Sequence, residues 1–109
     1  MTFPSILQAH LTLDEQQLKV WCRKWSVVEL AFFGSVMRND FRPDSDVDVL
    51  VAFAADSHLG LFEFNAAADE LEGILGRKVD LLTRRGVESS RNPYRKQEIL
   101  QSAQVVYAA

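Results

Sequence analysis

The sequence contains few of the residues on which many specialised proteins depend. It has a single cysteine, Cys22, so no disulfide can form within the chain, which fits a reducing compartment. His10 and His58 are its only histidines, too few to favour a zinc site or a serine-type triad. No run of about 18 apolar residues is present, and the N-terminus lacks the features of a secretory signal. We therefore expect a cytoplasmic protein without a membrane span.

An excess of positive charge is also missing. The formal net charge is −3 at pH 7, which argues against a protein that binds nucleic acids directly. The charges are uneven, because acidic residues concentrate in 40–72 and basic residues in 77–96. An acidic centre beside a basic flank could hold a metal ion and an anionic nucleotide together, although the basic flank alone is more simply interpreted as solvated surface.

The size and composition indicate one globular domain spanning residues 1–109. Of the 109 residues, 48% are hydrophobic and 25% are charged, as in ordinary water-soluble proteins. A chain of this length can bury a core but has no room for a second substrate-binding domain.

Hydrophobic periodicity predicts helices that alternate with strands. The predicted helices are 13–25 with Thr12 as N-cap in a capping box, a short turn of helix at 35–39, 61–75 with Gly76 as C-cap, and one from Asn92-Pro93 to about Ser102. The predicted strands are 27–33, 46–53, 78–83 and an edge strand at 105–107, with 84–91 as a polar connection. Residues 46–53 are apolar on both faces after an acidic start, which predicts a central strand. The pattern is that of an α/β layered domain.

The most informative stretch joins two of these strands. Gly34-Ser35 follows the first strand and would offer backbone N–H groups and a hydroxyl to a phosphate at the start of a helical turn. Ten residues later, Asp46 and Asp48 are spaced i, i+2, so their carboxylates point to the same side of a strand. Such a pair repels itself unless a cation lies between the charges. A phosphate site beside a metal site suggests metal-assisted phosphoryl chemistry.

Asp80 strengthens that interpretation. It lies in the strand that follows the long helix, and pairing of that strand with 46–53 would bring Asp80 beside Asp46 and Asp48. Three converging carboxylates suit Mg²⁺ or Mn²⁺, which prefer oxygen ligands. Two such ions, about 3.5–4 Å apart, can bind the attacking and leaving oxygens of an in-line displacement. The third carboxylate, near the acceptor, could also take its proton.

Alternative roles for the three aspartates fit less well. They could be loop caps or ion-pair partners of Arg42, Lys78 and Arg84, but three unpaired acids at a strand edge are costly. Phosphatases with an aspartate nucleophile also carry Asp-x-Asp, but there the acids follow the apolar strand, whereas here they precede it. A signalling receiver likewise places its acids at the carboxyl ends of strands.

Together, Gly34-Ser35, the ten-residue spacer, Asp46-Val47-Asp48 and the later Asp80 resemble the signature of the DNA-polymerase-β-like nucleotidyltransferase superfamily. Residues 27–107 are similar to its smallest branch, the minimal nucleotidyltransferase (MNT) domains. The resemblance implies a small mixed β-sheet covered by helices. It also extends to three further features, namely the turn ending at Arg38, Ser45 before the first aspartate, and Asn92-Pro93-Tyr94 before the final helix.

The resemblance implies a role for each matched residue. Asp46 and Asp48 would bind both metal ions, and Asp80 would bind one of them and activate the acceptor hydroxyl. Gly34 would let the backbone approach the β- and γ-phosphates, and Ser35 would hydrogen-bond to them.

Two more positions, Arg38 and Ser45, match the nucleotide-binding part of the family. The role of Arg38 stays open from the residues alone, because it could bind the nucleotide or pair with Asp40 or Asp44.

As a family, MNT proteins are antitoxins of HEPN-type ribonuclease toxins, in type VII-like toxin–antitoxin pairs. The resemblance implies Mg²⁺-dependent transfer of AMP from ATP to a tyrosine of the toxin (AMPylation). Since the chain has no helical second domain to hold an acceptor, the acceptor is expected on another chain, in a hetero-oligomer with the toxin. Two alternatives are an antitoxin that neutralises its toxin by binding alone, and transfer to a small molecule such as an aminoglycoside by a homodimer.

Overall fold

A four-stranded mixed sheet with helices on both faces forms the fold. The computed structural model describes residues 1–109. Its helices are α1 (Ser5–His10), α2 (Glu15–Lys24), α3 (Leu61–Leu75), α4 (Arg84–Glu88) and α5 (Pro93–Ser102), its strands are β1 (Val27–Phe33), β2 (Val47–Phe53), β3 (Val79–Thr83) and β4 (Gln104–Ala108), and a 3₁₀ helix spans Gly34–Met37. The strand order is β3-β2-β1-β4, in which β2 and β3 are parallel and the other pairs antiparallel. The predicted α/β class and the central place of β2 are confirmed. No helix combines the length and the apolar character needed to cross a membrane.

The N-terminal part differs from the sequence prediction. Residues 1–11, for which the sequence allows a loose or a short helical lead-in, contain helix α1, and α2 begins at Glu15. The predicted N-cap Thr12 is wrong. The cap is Asp14, whose carboxylate accepts a hydrogen bond from the backbone N–H of Gln17 at 3.1 Å. Aspartate caps a helix at least as well as threonine, and Asp14 directly precedes Glu15, the first residue of α2.

The segment predicted as a polar connection, 84–91, contains helix α4. The hydroxyl of Thr83 caps it by accepting a hydrogen bond from the N–H of Gly86 at 3.0 Å. No periodic signal predicts this helix, because Val87 is the only apolar residue in the segment. Other predicted ends are confirmed: Gly76 ends α3 with a φ of +68°, and Asn92 caps α5.

The larger part of the core lies between the sheet and helices α2 and α3. This cluster contains 17 buried residues, and none of them is charged. Trp21 lies at its centre and donates its indole N–H to the carbonyl of Ala67 at 2.9 Å. Cys22 is fully buried in the same cluster, and this burial raises the pKa of its thiol to about 12. Cys22 is therefore a core residue and not a reactive thiol.

The opposite face of the sheet buries a smaller cluster of five residues beneath α4 and α5, namely Ala31, Phe33, Leu50, Val87 and Ile99. Alternation along β2 sends Val47, Val49 and Val51 to the larger cluster and Leu50 to the smaller one. Asp48 shares the face of Leu50. The smaller face therefore carries the acidic start of the strand.

Candidate active site

One edge of the sheet gathers the residues that the sequence singled out. Because β1 is antiparallel to β2 while β3 is parallel to it, the end of β1 meets the starts of β2 and β3. Asp48 pairs with Phe33 on one side and with Asp80 on the other. Gly34-Ser35 directly follows Phe33. The structure therefore brings Asp80 and the Gly-Ser turn to either side of Asp48.

Gly34 is fixed as glycine by two constraints. Its φ is +75°, a left-handed conformation that other residues rarely adopt. A Cβ at this position would also overlap the Oδ2 atom of Asp48 and lie 3.1 Å from its Cγ. The Asp48 carboxylate therefore lies directly against the backbone of the turn, and a ligand of one can contact the other.

Helix α1 supports the Gly34–Met37 turn from below. Nδ1 of His10 lies 2.8 Å from the carbonyl oxygen of Val36, which is the distance of a hydrogen bond in which the ring N–H donates. Val36 itself is fully buried in the larger core cluster. The turn is thus held on its inner side, while Gly34 and Ser35 remain partly accessible.

A cavity of about 320 Å³ lies at this edge, within the size range of small-molecule sites. Cavities of similar volume occur elsewhere, but this one has charged groups of both signs and only one apolar residue in its lining. Its lining residues are Phe33, Gly34, Ser35, Arg38, Asp48, Asp80, Arg95, Glu98 and Ser102. Five of the seven predicted site residues therefore share one cavity.

The Asp48 carboxylate lies in a strongly negative environment. Its pKa is raised above the usual range, mainly by burial and further by the charges of Asp80 and Asp46, while Arg95 and Arg38 partly offset this. None of the three aspartates forms an ion pair within the chain. Their unneutralised charge would be stabilised by a bound cation.

The ion-pair alternative for the aspartates is not supported. Of the three basic residues that could have paired with them, Arg84 pairs instead with Glu29 at 3.0 Å. Arg42 and Lys78 take part in no ion pair.

The carboxylates at this site fit a hard divalent cation whose coordination shell is completed by ligands from outside the chain. No three acidic, histidine or cysteine side chains are spaced to ligate one ion by themselves. Mg²⁺ is usually bound through one or two carboxylates together with water and substrate phosphates, so three protein ligands are not required. Asp48 and Asp80, facing one cavity beside the Gly34-Ser35 turn, meet that requirement.

Two predicted residues lie outside the cavity lining. Asp46 is exposed immediately before β2, and it acts on the site through its charge near Asp48. Ser45 stabilises the preceding turn, because its hydroxyl accepts a hydrogen bond from the N–H of Arg42 at 3.1 Å and its carbonyl accepts one from Arg77 at 2.7 Å.

Helix α5 contributes three residues that the sequence analysis missed: Arg95, Glu98 and Ser102. They are spaced i, i+3, i+7 and so lie on one face of the helix. That polar stripe, starting one turn after the recognised cap Asn92, was the available signal. Without knowledge that α5 packs beside the start of β2, the stripe looked like solvated surface.

A family model described as "Nucleotidyltransferase domain" matches residues 14–106. The chain belongs to this nucleotidyltransferase family. The nucleotidyltransferase is 36% identical over 81 residues to a Methanocaldococcus jannaschii protein named "Putative protein adenylyltransferase", a match that covers 74% of this chain and 78% of that protein. It is 32% identical over 83 residues to "Protein adenylyltransferase MntA" of Thermococcus cleftensis, covering 76% and 79% of the two chains.

Solved structures show the same fold. A structure described as a "putative minimal nucleotidyltransferase" superposes with a TM-score of 0.63 at 34% identity, covering 83% of this chain and 85% of that one. A complex described as tri-AMPylated Shewanella oneidensis HEPN toxin with MNT antitoxin contains a chain with a TM-score of 0.60 at 21% identity, covering 94% and 73%. The expected polymerase-β-like fold and membership of the minimal nucleotidyltransferases are confirmed.

Proposed function

We propose that this nucleotidyltransferase is a protein adenylyltransferase that modifies a tyrosine hydroxyl of a HEPN-type toxin with AMP from ATP and so acts as its antitoxin. The observation that carries the proposal is the cavity in which Gly34-Ser35 faces Asp48 and Asp80. Two relatives above 30% identity are named protein adenylyltransferases, which supports a protein acceptor. The HEPN toxin held by a protein of the same fold supports the kind of acceptor.

The Gly34-Ser35 turn and Asp80 have different roles in the reaction. Backbone N–H groups of Gly34-Ser35 and the Ser35 hydroxyl hold the β- and γ-phosphates, as the start of a helical turn suits anions. Asp80, which is more exposed than Asp48, accepts the proton of the tyrosine hydroxyl. The new bond joins that oxygen to the α-phosphorus, the bond from the α-phosphorus to the bridging oxygen breaks, and pyrophosphate leaves.

Asp48 lies between the Gly34-Ser35 turn and Asp80, and its carboxylate adds negative charge to the site. Together with Asp46 and Asp80 it would hold two Mg²⁺ ions, for which Mn²⁺ could substitute. Bound divalent ions supply charge neutralisation for the triphosphate and for the oxygens that attack and leave. Replacement of the half-buried Asp48 should therefore impair the reaction more than replacement of the exposed Asp46.

A labelling experiment tests the proposal. The protein is incubated with Mg²⁺ and a HEPN-type protein encoded beside it, with ATP labelled at either the α- or the γ-phosphate. We expect label on the HEPN protein from α-labelled ATP only, and a mass increase of one or more AMP groups on a tyrosine. Transfer of the γ-label would indicate a kinase, and absence of any transfer to the HEPN protein would refute this acceptor.

Neutralisation in cells separates catalysis from binding. The Asp48→Asn variant keeps the side-chain volume and the surface that a toxin would contact, but loses a carboxylate of the site. If AMP transfer neutralises the toxin, cells carrying this variant and the toxin should stop growing. Growth equal to that with the wild-type protein would support a binding antitoxin instead.

A further inference from the structure

Two arginines line the candidate active site, and the structure distinguishes them. The Nε atom of Arg38 donates to a carboxylate oxygen of Asp40 at 3.1 Å, so part of its charge is neutralised within the turn. Arg95 takes part in none of the ion pairs of the chain, although Glu98 lines the same cavity. Arg95 therefore presents the less neutralised guanidinium to the cavity.

The place of Arg95 on its helix is electrostatically unusual. It lies in the first turn of α5, which contains no acidic residue, and Lys96 follows it. The amino end of a helix carries partial positive charge, so cations there are unfavourable unless an anion is near. Arg95 lines the same cavity as Asp48, so its charge acts within that cavity. An anion bound in the cavity would be stabilised by Arg95 and by the end of the helix together.

The geometry points to Arg95 as the arginine that binds a phosphate group of the nucleotide, with Arg38 shaping the turn through Asp40. This rests on the proposed function, since it assumes that the cavity takes a nucleoside triphosphate. Arg95 on α5 and the Gly34-Ser35 turn line the same cavity, so the phosphate chain would be bound by two separate elements. A guanidinium suits this role because its planar array of N–H groups can form two parallel hydrogen bonds to a phosphate.

Equilibrium binding of ATP in the presence of Mg²⁺, measured by calorimetry, tests the inference. We expect Arg95→Ala to weaken ATP binding on the order of 10- to 100-fold, the usual effect of losing hydrogen bonds to a charged group. Arg95→Lys should bind with intermediate affinity, because it keeps the charge without the paired donors. Arg91→Ala is the matched control: it removes an equal charge from an exposed position near α5 that does not line the cavity, and its affinity should equal that of the wild type.

The outcomes separate this inference from the proposed function. If wild-type protein fails to bind ATP, the proposed function fails with it. If wild type binds ATP and Arg95→Ala binds as tightly as Arg91→Ala, the inference is overturned while the proposed function stands. Should Arg95→Ala also melt at a lower temperature, Arg95→Lys decides: an intermediate affinity supports the phosphate contact, and an affinity as low as that of Arg95→Ala overturns it.

Discussion

The two faces of the sheet differ in what their residues do. The face covered by α2 and α3 buries 17 residues, against five under α4 and α5. The first face is packed by apolar side chains only. The second ends, at the edge where β2 and β3 begin, in Asp48 and Asp80 and in the polar stripe of α5. Most of the packing energy therefore comes from one face, which leaves the other able to carry charges that do not stabilise the fold.

Two neighbouring residues of β2 show the same difference between the two faces of the sheet. Val49 is fully buried in the larger cluster, whereas Asp48, one residue earlier on the opposite face, is half-buried beside the cavity. If the division between the faces is real, substitutions at these two positions should affect different properties of the protein.

The largest expected effect is on catalysis at Asp48. Asp48→Asn should lower the rate of AMP transfer about 100- to 1,000-fold, because metal-assisted stabilisation of the transition state amounts to several kcal/mol. Its melting temperature should not fall. Val49→Ala should instead cost about 2 kcal/mol of unfolding free energy by leaving a cavity, with little change in rate at a temperature where it is folded. Transfer assays and thermal melts of both variants provide the measurements.

A mixed result would contradict the division. Full activity of Asp48→Asn would remove Asp48 from the reaction, and a large fall in its melting temperature would mean that the carboxylate stabilises the fold. Loss of activity by folded Val49→Ala would show that the packed face also sets the geometry of the site.

How well the sequence predicted the structure also differs between the faces. The elements of the packed face carry apolar residues at regular strand or helix spacing, and the ends of the strands and of α3 were predicted within a residue or two. Gly34, Ser35, Asp48 and Asp80 were recognised as a group because a strand that follows a covering helix can pair beside the strand that precedes the helix, and the acids mark strand starts. The missed parts are the Asp14 cap of α2, helix α4, which has one apolar residue, and the stripe of Arg95, Glu98 and Ser102 on α5. The orientation of that stripe toward the cavity depends on how α5 packs against the rest of the fold, which the local sequence does not encode.

The next largest effect separates two glycines that share a backbone conformation. Gly34 and Gly76 have φ values of +75° and +68°, so alanine at either should cost about 1–2 kcal/mol of unfolding free energy. A Cβ at Gly76 meets no atom within 4 Å, whereas at Gly34 it would displace the Asp48 carboxylate. We expect only Gly34→Ala to lose activity as well, about 10- to 100-fold, as a misplaced catalytic group would.

Gly76→Ala is the control for the free-energy cost of placing alanine in a left-handed backbone conformation, since Gly76 ends α3 on the packed side of the sheet. Equal losses of activity in the two variants, measured well below their melting temperatures, would show that general destabilisation, and not the position of Asp48, causes the effect.

The smallest expected effect is a pH dependence that distinguishes Asp48 from a stabilising carboxylate. Burial, Asp80 and Asp46 raise the pKa of Asp48 above its ordinary 3.8, so the folded state binds this proton more tightly than the unfolded state. The contribution of Asp48 to unfolding free energy therefore falls as pH rises from about 3.8 through the folded-state pKa. Asparagine does not titrate, so Asp48→Asn should gain stability relative to wild type over that range, measured as the difference between their melting temperatures.

Added Mg²⁺ at pH 7 should reduce this difference in melting temperature by stabilising the wild-type protein. A difference that stays constant with pH would mean that the Asp48 charge is already neutralised within the protein, and the two faces would then be less distinct than the structure indicates.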